Sequence, residues 1–263
     1  MVTAIKEDGG TKLARASGPA IGLLLTEPFR GFTGFAALPL AAPWLWSAPR
    51  GDGHGVLVIP GLLGSDFSTS VLRTYARRLG YQAVGWNLGR NRGPTQQVVD
   101  ELPRQLLALA DRTGRPVSLI GWSLGGVYAR ELARQYPAQV RQVITLGSPF
   151  ALTDARQSHA DRAYRRRAHL HAKQGLPTPQ QVAEPIGVPS TAVYSRYDGI
   201  VSWRVCICEE SVLHENIEVY CAHLGFGSDP ATLWLIADRL AAPVEGRERF
   251  SPPRQLRSLY PRR

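Results

Sequence analysis

Cysteine is scarce in this chain: three in 263 residues, Cys206, Cys208 and Cys221. An odd count with no zinc-type spacing argues against both a disulfide-built scaffold and a zinc module. Cys206 and Cys208 stand too close along the chain to bridge without strain, whereas a Cys208–Cys221 bridge stays open. Reduced thiols in a cytoplasmic protein are the simpler account. Acidic residues are also few, Asp+Glu 21 against Lys+Arg 31, which leaves a net charge of +10 and a pI near 10.0. Such an excess invites a nucleic-acid reading, yet no finger, RNA-recognition or helix-turn-helix signature surrounds it. The arginines crowd two places, Arg156 to Lys173 and Arg247 to Arg263, where a solvated basic face or attraction to anionic membrane accounts for them. Glycines such as Gly89 and Gly93 lack phosphate-loop spacing, so no nucleotide site is expected. The first residues carry charge and no apolar core with a cleavage site, so no Sec-type signal peptide is expected.

Long apolar runs free of proline are missing too. Residues 31–49 contain no charge, but Pro39, Pro43 and Pro49 each remove a backbone donor and break a helix where lipid could not compensate. A membrane-spanning helix is therefore not expected there. Residues 19–49 are expected to pack over a core or line the approach to a site. The alternative is a shallow interfacial anchor, which would make the protein membrane-peripheral.

What the chain has in quantity is alternation. Its length and 44% hydrophobic content suit one large α/β domain. Apolar strand-like runs at Gly55–Ile59, Gln82–Trp86, Pro116–Ile120, Val140–Leu146, Ser190–Ser195 and Asn216–Tyr220 alternate with helical patterns such as Phe67–Leu79, Thr95–Thr113 and Pro230–Leu240. Alternation of this kind implies a parallel, helix-flanked sheet. At its middle stands Gly121-Trp122-Ser123-Leu124-Gly125, between a strand pattern and a helical one. A serine between two glycines at such a joint sits on a turn so sharp that its hydroxyl projects at a helix N-terminus, where developing negative charge is favoured.

In this setting the chain resembles the α/β-hydrolase family, within it the lipase and esterase branch. The resemblance implies a mostly parallel central sheet without the family's first two strands, residues 19–49 standing in their place. It implies an order of nucleophile, acid and histidine along the chain. Ser123 is the candidate nucleophile. Asp198, in Asp198-Gly199-Ile200-Val201 after a strand, is the candidate acid, with Asp154 as its rival. His223, in Ala222-His223-Leu224-Gly225 after the last strand, is the candidate base; alanine stands where relatives commonly have serine. Pro60-Gly61-Leu62 resembles the turn that supplies one oxyanion donor, the Leu62 N–H, and the Leu124 N–H would supply the second. Trp122 and Leu63 are the candidate substrate contacts.

The domain reading is a flexible segment 1–18, the apolar segment 19–49, a hydrolase core at 50–150 and 189–245, a small cap at 151–188, and a basic tail at 246–263. His159, His169 and His171 lie in the cap without a carboxylate cluster, so no metal is expected. No other cofactor is required either. The function expected is cleavage of carboxylic esters, with a small ester or lipid as substrate and no nucleic acid. Acyl transfer, thioester cleavage and perhydrolysis stay open on the same residues, and a non-catalytic surface binder is the alternative of another class.

Overall fold

The computed structural model describes residues 18–244 and 246–261; residues 1–17, most of the segment expected to be flexible, lie outside them. The inner strands of the sheet are short and apolar enough to be buried on both faces. Gly55–Ile59 (β1), Gln82–Gly85 (β2), Val117–Trp122 (β3), Val140–Leu146 (β4), Ser190–Tyr194 (β5) and His214–Glu218 (β6) pair throughout as parallel neighbours in the order β2-β1-β3-β4-β5-β6. In β1, Val56 and Val58 enter one core while Leu57 and Ile59 enter the other, the period of two that a strand imposes. Burial on both faces is what a parallel sheet with crossover helices requires.

The helices divide accordingly. Gln96–Thr113 (α3) and Leu124–Gln135 (α4) cover the face carrying Leu57 and Leu119. Ser70–Arg78 (α2), Pro230–Ala241 (α7) and the N-terminal helix Ile21–Trp46 (α1) cover the other. Between β4 and β5 the chain leaves the alternation for the short helices Asp161–Arg165 (α5) and Pro179–Ala183 (α6). Chain order places β1 and β3 side by side although β2 lies beyond β1, so the chain reverses direction across the sheet between them. A reversal of this kind opens a crevice beyond the carboxyl ends of the strands.

Two expectations are corrected. Residues 21–46 form one continuous helix through Pro28, Pro39 and Pro43. All three prolines are exposed, so the carbonyls they leave unpaired can bond water, an escape that lipid would deny them. Among the described residues no helix is long and apolar enough to cross a membrane. The tail is also more than a basic appendage. Phe250, Leu256 and Tyr260 are buried in the α7 core, and the Tyr260 hydroxyl donates to the Ala231 carbonyl at 2.7 Å. All three cysteines are free.

The tail is locked by charge as well. Glu215 in β6 is buried and accepts from Arg239 in α7 at 2.9 Å, from the Thr191 hydroxyl at 3.0 Å and from the Phe250 N–H at 3.0 Å. Arg247 approaches the same carboxylate at 3.5 Å and donates to Gln142 and Thr191. Burial alone would raise the Glu215 pKa, but Arg239, the Phe250 N–H and Arg247 outweigh it and hold it below the ordinary range. A depressed folded pKa stabilises the fold above the unfolded value and is lost as pH falls through the folded one. Glu215→Ala removes a carboxylate shared by two buried guanidinium groups, of which Arg239 keeps Asp238 at 2.8 Å, and is expected to cost about 3 kcal/mol. Urea unfolding at neutral pH should show that loss, and the gap to wild type should narrow at acid pH.

Candidate active site

Ser123 follows β3 directly and takes φ 53°, ψ −121°, a conformation that costs a non-glycine residue strain. The structure holds it there from both sides. Its N–H donates to the Leu146 carbonyl at the end of β4 (2.8 Å), and its carbonyl accepts from Gly126 at 3.0 Å. A Cβ on Gly121 would overlap the Gly126 backbone, and one on Gly125 would overlap the carbonyls of Ile59 and Pro60. The two glycines flanking the turn are therefore imposed by close approach of β1, β3 and α4.

The turn after β1 lies across from it. Among the described residues no backbone carbonyl accepts the Leu62 N–H, and Leu124, first residue of α4, has no intrahelical acceptor for its own. The turn is braced by Asn91, fully buried in the loop after β2. Asn91 Nδ2 donates to the Pro60 carbonyl at 2.9 Å, its N–H donates to Gly64 at 2.8 Å, and its carbonyl accepts from Leu63 at 2.7 Å.

Asp198 and His223 come from the loops after β5 and β6. His223 Nδ1 lies 2.5 Å from Asp198 Oδ2, and Asp198 Oδ1 accepts from the N–H groups of Ile200 (2.8 Å) and Val201 (2.7 Å). Both side chains are nearly inaccessible. Burial pushes the His223 pKa down, but the charge and hydrogen bond of Asp198, with the charge of Glu27 added, override it and raise it above an ordinary imidazole. Gly147, next to Leu146, packs against both Asp198 and His223 and so sets this pair beside the Ser123 turn. No hydrogen bond joins Ser123 to His223 in this conformation, as is common before substrate binds. The rival Asp154 instead caps the turn Ala155–Gln157 and pairs with Arg156 at 2.7 Å.

Glu27 of α1 is the site residue that sequence reasoning missed. Its side chain is buried, and its carboxylate accepts from the N–H groups of Gly199 (2.6 Å), His223 (3.1 Å) and Leu224 (3.1 Å). Arg30 pairs with it at 3.2 Å and donates to the Tyr197 carbonyl at 2.7 Å. One carboxylate thus ties the acid loop to the histidine loop. Gly199 is glycine because a Cβ there would overlap the α1 backbone at Leu23. The signal was present in the sequence as two lone charges, three residues apart, in an apolar stretch.

Ser123 opens on a cavity of about 260 Å³ walled by Leu62, Leu124, Val127, Phe150, Tyr164 and Val182, among others, so α4 and the 151–188 segment enclose it together. Trp122 and Leu63, the expected substrate contacts, do not line it. Trp122 turns into the opposite core, where its indole N–H donates to the His223 carbonyl at 3.1 Å. Leu63 has φ 64° and an exposed side chain. A second Asp–His–Ser relay exists at the other end of the sheet. His54 Nδ1 meets Asp52 at 2.5 Å and its Nε2 meets Ser118 Oγ at 2.7 Å. Ser118 and His54 are fully buried, and burial holds the His54 pKa below its ordinary value despite Asp52. That relay has the hydrogen bonds but no room for a substrate.

No protein-family model matches the chain. The serine hydrolase BPHL of Homo sapiens is 32% identical over 116 residues, and its Mus musculus counterpart 28% over 117. Each match covers 40% of this chain and 39% of the relative, well under half of either. Among solved structures, lipase BlEst2 of Bacillus licheniformis superposes with a TM-score of 0.52 at 17% identity, covering 73% of this chain and 94% of that one. Lipase B of Aspergillus fumigatus gives 0.51 at 16%, covering 74% and 54%. The pyrethroid hydrolase PytH gives 0.53 at 16%, covering 73% and 99%. At such identities the likeness concerns architecture, and with the parallel sheet order and the turn at Ser123 it identifies this chain as having the α/β-hydrolase fold.

Proposed function

We propose that the chain hydrolyses carboxylic esters through Ser123, His223 and Asp198. The observation that carries the reading is the buried Asp198–His223 pair set beside a strained serine at the floor of an apolar cavity. Ser123 Oγ attacks the ester carbonyl while His223 takes its proton, and Asp198 fixes the imidazole and stabilises its cation. The N–H groups of Leu62 and Leu124 receive the oxyanion, each worth roughly 3 kcal/mol. His223 then protonates the leaving alcohol, and water, activated by the same histidine, releases the acid and restores Ser123. The lipases among the structural neighbours support the ester as substrate class.

The acyl group fits the cavity wall. A second apolar cavity of about 180 Å³ shares Leu124, Val127, Tyr164, Pro177 and Val182 with the first and continues to Val98, Val99 and Leu102 of α3. Space beyond the nucleophile that is walled mainly by apolar side chains, with Glu131, Gln135 and Asp161 among the lining, favours a hydrocarbon acyl chain over a polar one.

Three outcomes are expected. On p-nitrophenyl esters from acetate to palmitate, Ser123→Ala should lose activity by roughly a thousandfold or more. Equal turnover by wild type and mutant would remove the serine mechanism. Filling the shared wall with Val127→Trp should move the chain-length optimum towards shorter acyl groups, read as kcat/KM across that series. The third concerns pH. The neutral imidazole is the base, so kcat/KM should fall as pH drops through a His223 pKa above 6.5. Glu27→Gln removes a charge that raises this pKa, so its acid limb should move to lower pH and kcat should fall more than KM rises. A limb that stays in place while only the melting temperature drops would leave Glu27 a purely structural residue.

A further inference from the structure

α1 has two faces of unlike character. Inward it buries Glu27, Gly31, Ala41 and Leu45. Outward it exposes Leu25 (76%), Phe29 (73%), Phe32 (63%), Leu40 (86%) and Trp46 (65%), with Ile21 at the start of the same side. Positions 21, 25, 29, 32 and 46 fall on one stripe of a helix of 3.6 residues per turn, with Leu40 at its edge, and 26 residues extend about 39 Å. The only charged side chains in the helix are Glu27 and Arg30, which pair with each other and with the acid loop. The outer face is therefore free of charge over its whole length. Contiguous apolar patches of this extent are uncommon on a monomer's surface and mark contacts with something else.

Beside the stripe, a groove of about 580 Å³ runs between α1 and α2, lined by Leu38, Ala42, Trp46 and Val71 among others. Its charged lining residues are Arg50 and Arg78, both exposed, and no carboxylate lines it. Apolar surface rimmed by cations fits an anionic amphiphile. The chain's net charge of +10 opposes the approach of a second copy and favours a negatively charged plane. Aromatic side chains on a helix that lies flat against its own protein suit the boundary between headgroups and acyl chains.

We infer that the outward face of α1 is a docking surface for an anionic lipid bilayer, with Phe29, Phe32, Leu40 and Trp46 entering the boundary region and Arg50 and Arg78 meeting headgroup phosphates. The docking does not depend on ester hydrolysis. The test uses the full chain carrying Ser123→Ala, so that no lipid is consumed, and measures co-sedimentation with phosphatidylcholine vesicles and with phosphatidylcholine–phosphatidylglycerol vesicles. Binding is expected on the anionic vesicles and should weaken with salt. Phe29→Ser with Phe32→Ser should lower partitioning by about tenfold or more, as loss of two inserted aromatic side chains requires. Leu25→Ser with Leu40→Ser, on the same stripe, should do the same. Arg50→Gln and Arg78→Gln should each lower binding to the anionic vesicles alone, roughly fivefold at low salt. These positions are exposed, so circular dichroism and the melting temperature should match wild type. The inference is overturned if the Ser123→Ala chain binds neither vesicle or if both apolar pairs, made in that chain, bind as it does. It is also overturned if light scattering shows a dimer that the same pairs dissolve while vesicles capture nothing, since a second copy would then be the occupant.

Discussion

A carboxylate removed from water must find donors, and beside Arg30 those that Glu27 finds are main-chain N–H groups of two different loops. Satisfying that one group fixes where α1 lies and how the loop after β5 faces the loop after β6. It also sets the backbone from which Asp198 and His223 project. The Asp198–His223 hydrogen bond is thus held by a second layer of charge-assisted bonds, and Trp122 adds a third point of support at the His223 carbonyl. Rigid support of this kind suits the proton-transfer role proposed for the pair, which requires one geometry.

The strand and helix pattern was legible in the sequence because parallel strands are buried on both faces. Gly55–Ile59 and Val140–Leu146 match the expected bounds, two strands differ by one residue at one end, and Val117–Trp122 and His214–Glu218 are shifted by one or two residues at both ends. The joint at Ser123 was legible for a related reason: close approach of three backbones leaves glycine as the sole tenant of positions 121 and 125. What escaped depends on contacts between distant parts of the chain. Pro39 and Pro43 concealed α1, since proline's cost depends on which side of a helix faces water. Trp122 looked like a substrate contact from its place beside Ser123, but strand alternation turns it to the opposite face. Asn91 and Glu27 act through main-chain atoms of other segments, and spacing carries no trace of such partners.

The two Asp–His–Ser arrangements show why residue identity does not decide chemistry. Around Ser118 the hydrogen bonds are complete and the packing is closed. Around Ser123 the serine contact is unformed, while the cavity, the free N–H groups and the raised imidazole are all in place. Access and donors aimed at empty space are what distinguish Ser123, the proposed nucleophile, from the enclosed Ser118.

The bond between Glu27 and His223 spans 196 residues, and this has a consequence for biosynthesis. A ribosome working at ordinary speed takes roughly ten to forty seconds to cover that distance. Through most of that interval α1 exists without either partner loop, so its inner carboxylate is uncovered along with the outer aromatic stripe that the fold leaves exposed. The nascent chain is then most prone to stick to itself, to a chaperone or to a lipid surface. Closure of the site therefore waits for the loop that carries His223, and it comes together with burial of the inner face of α1.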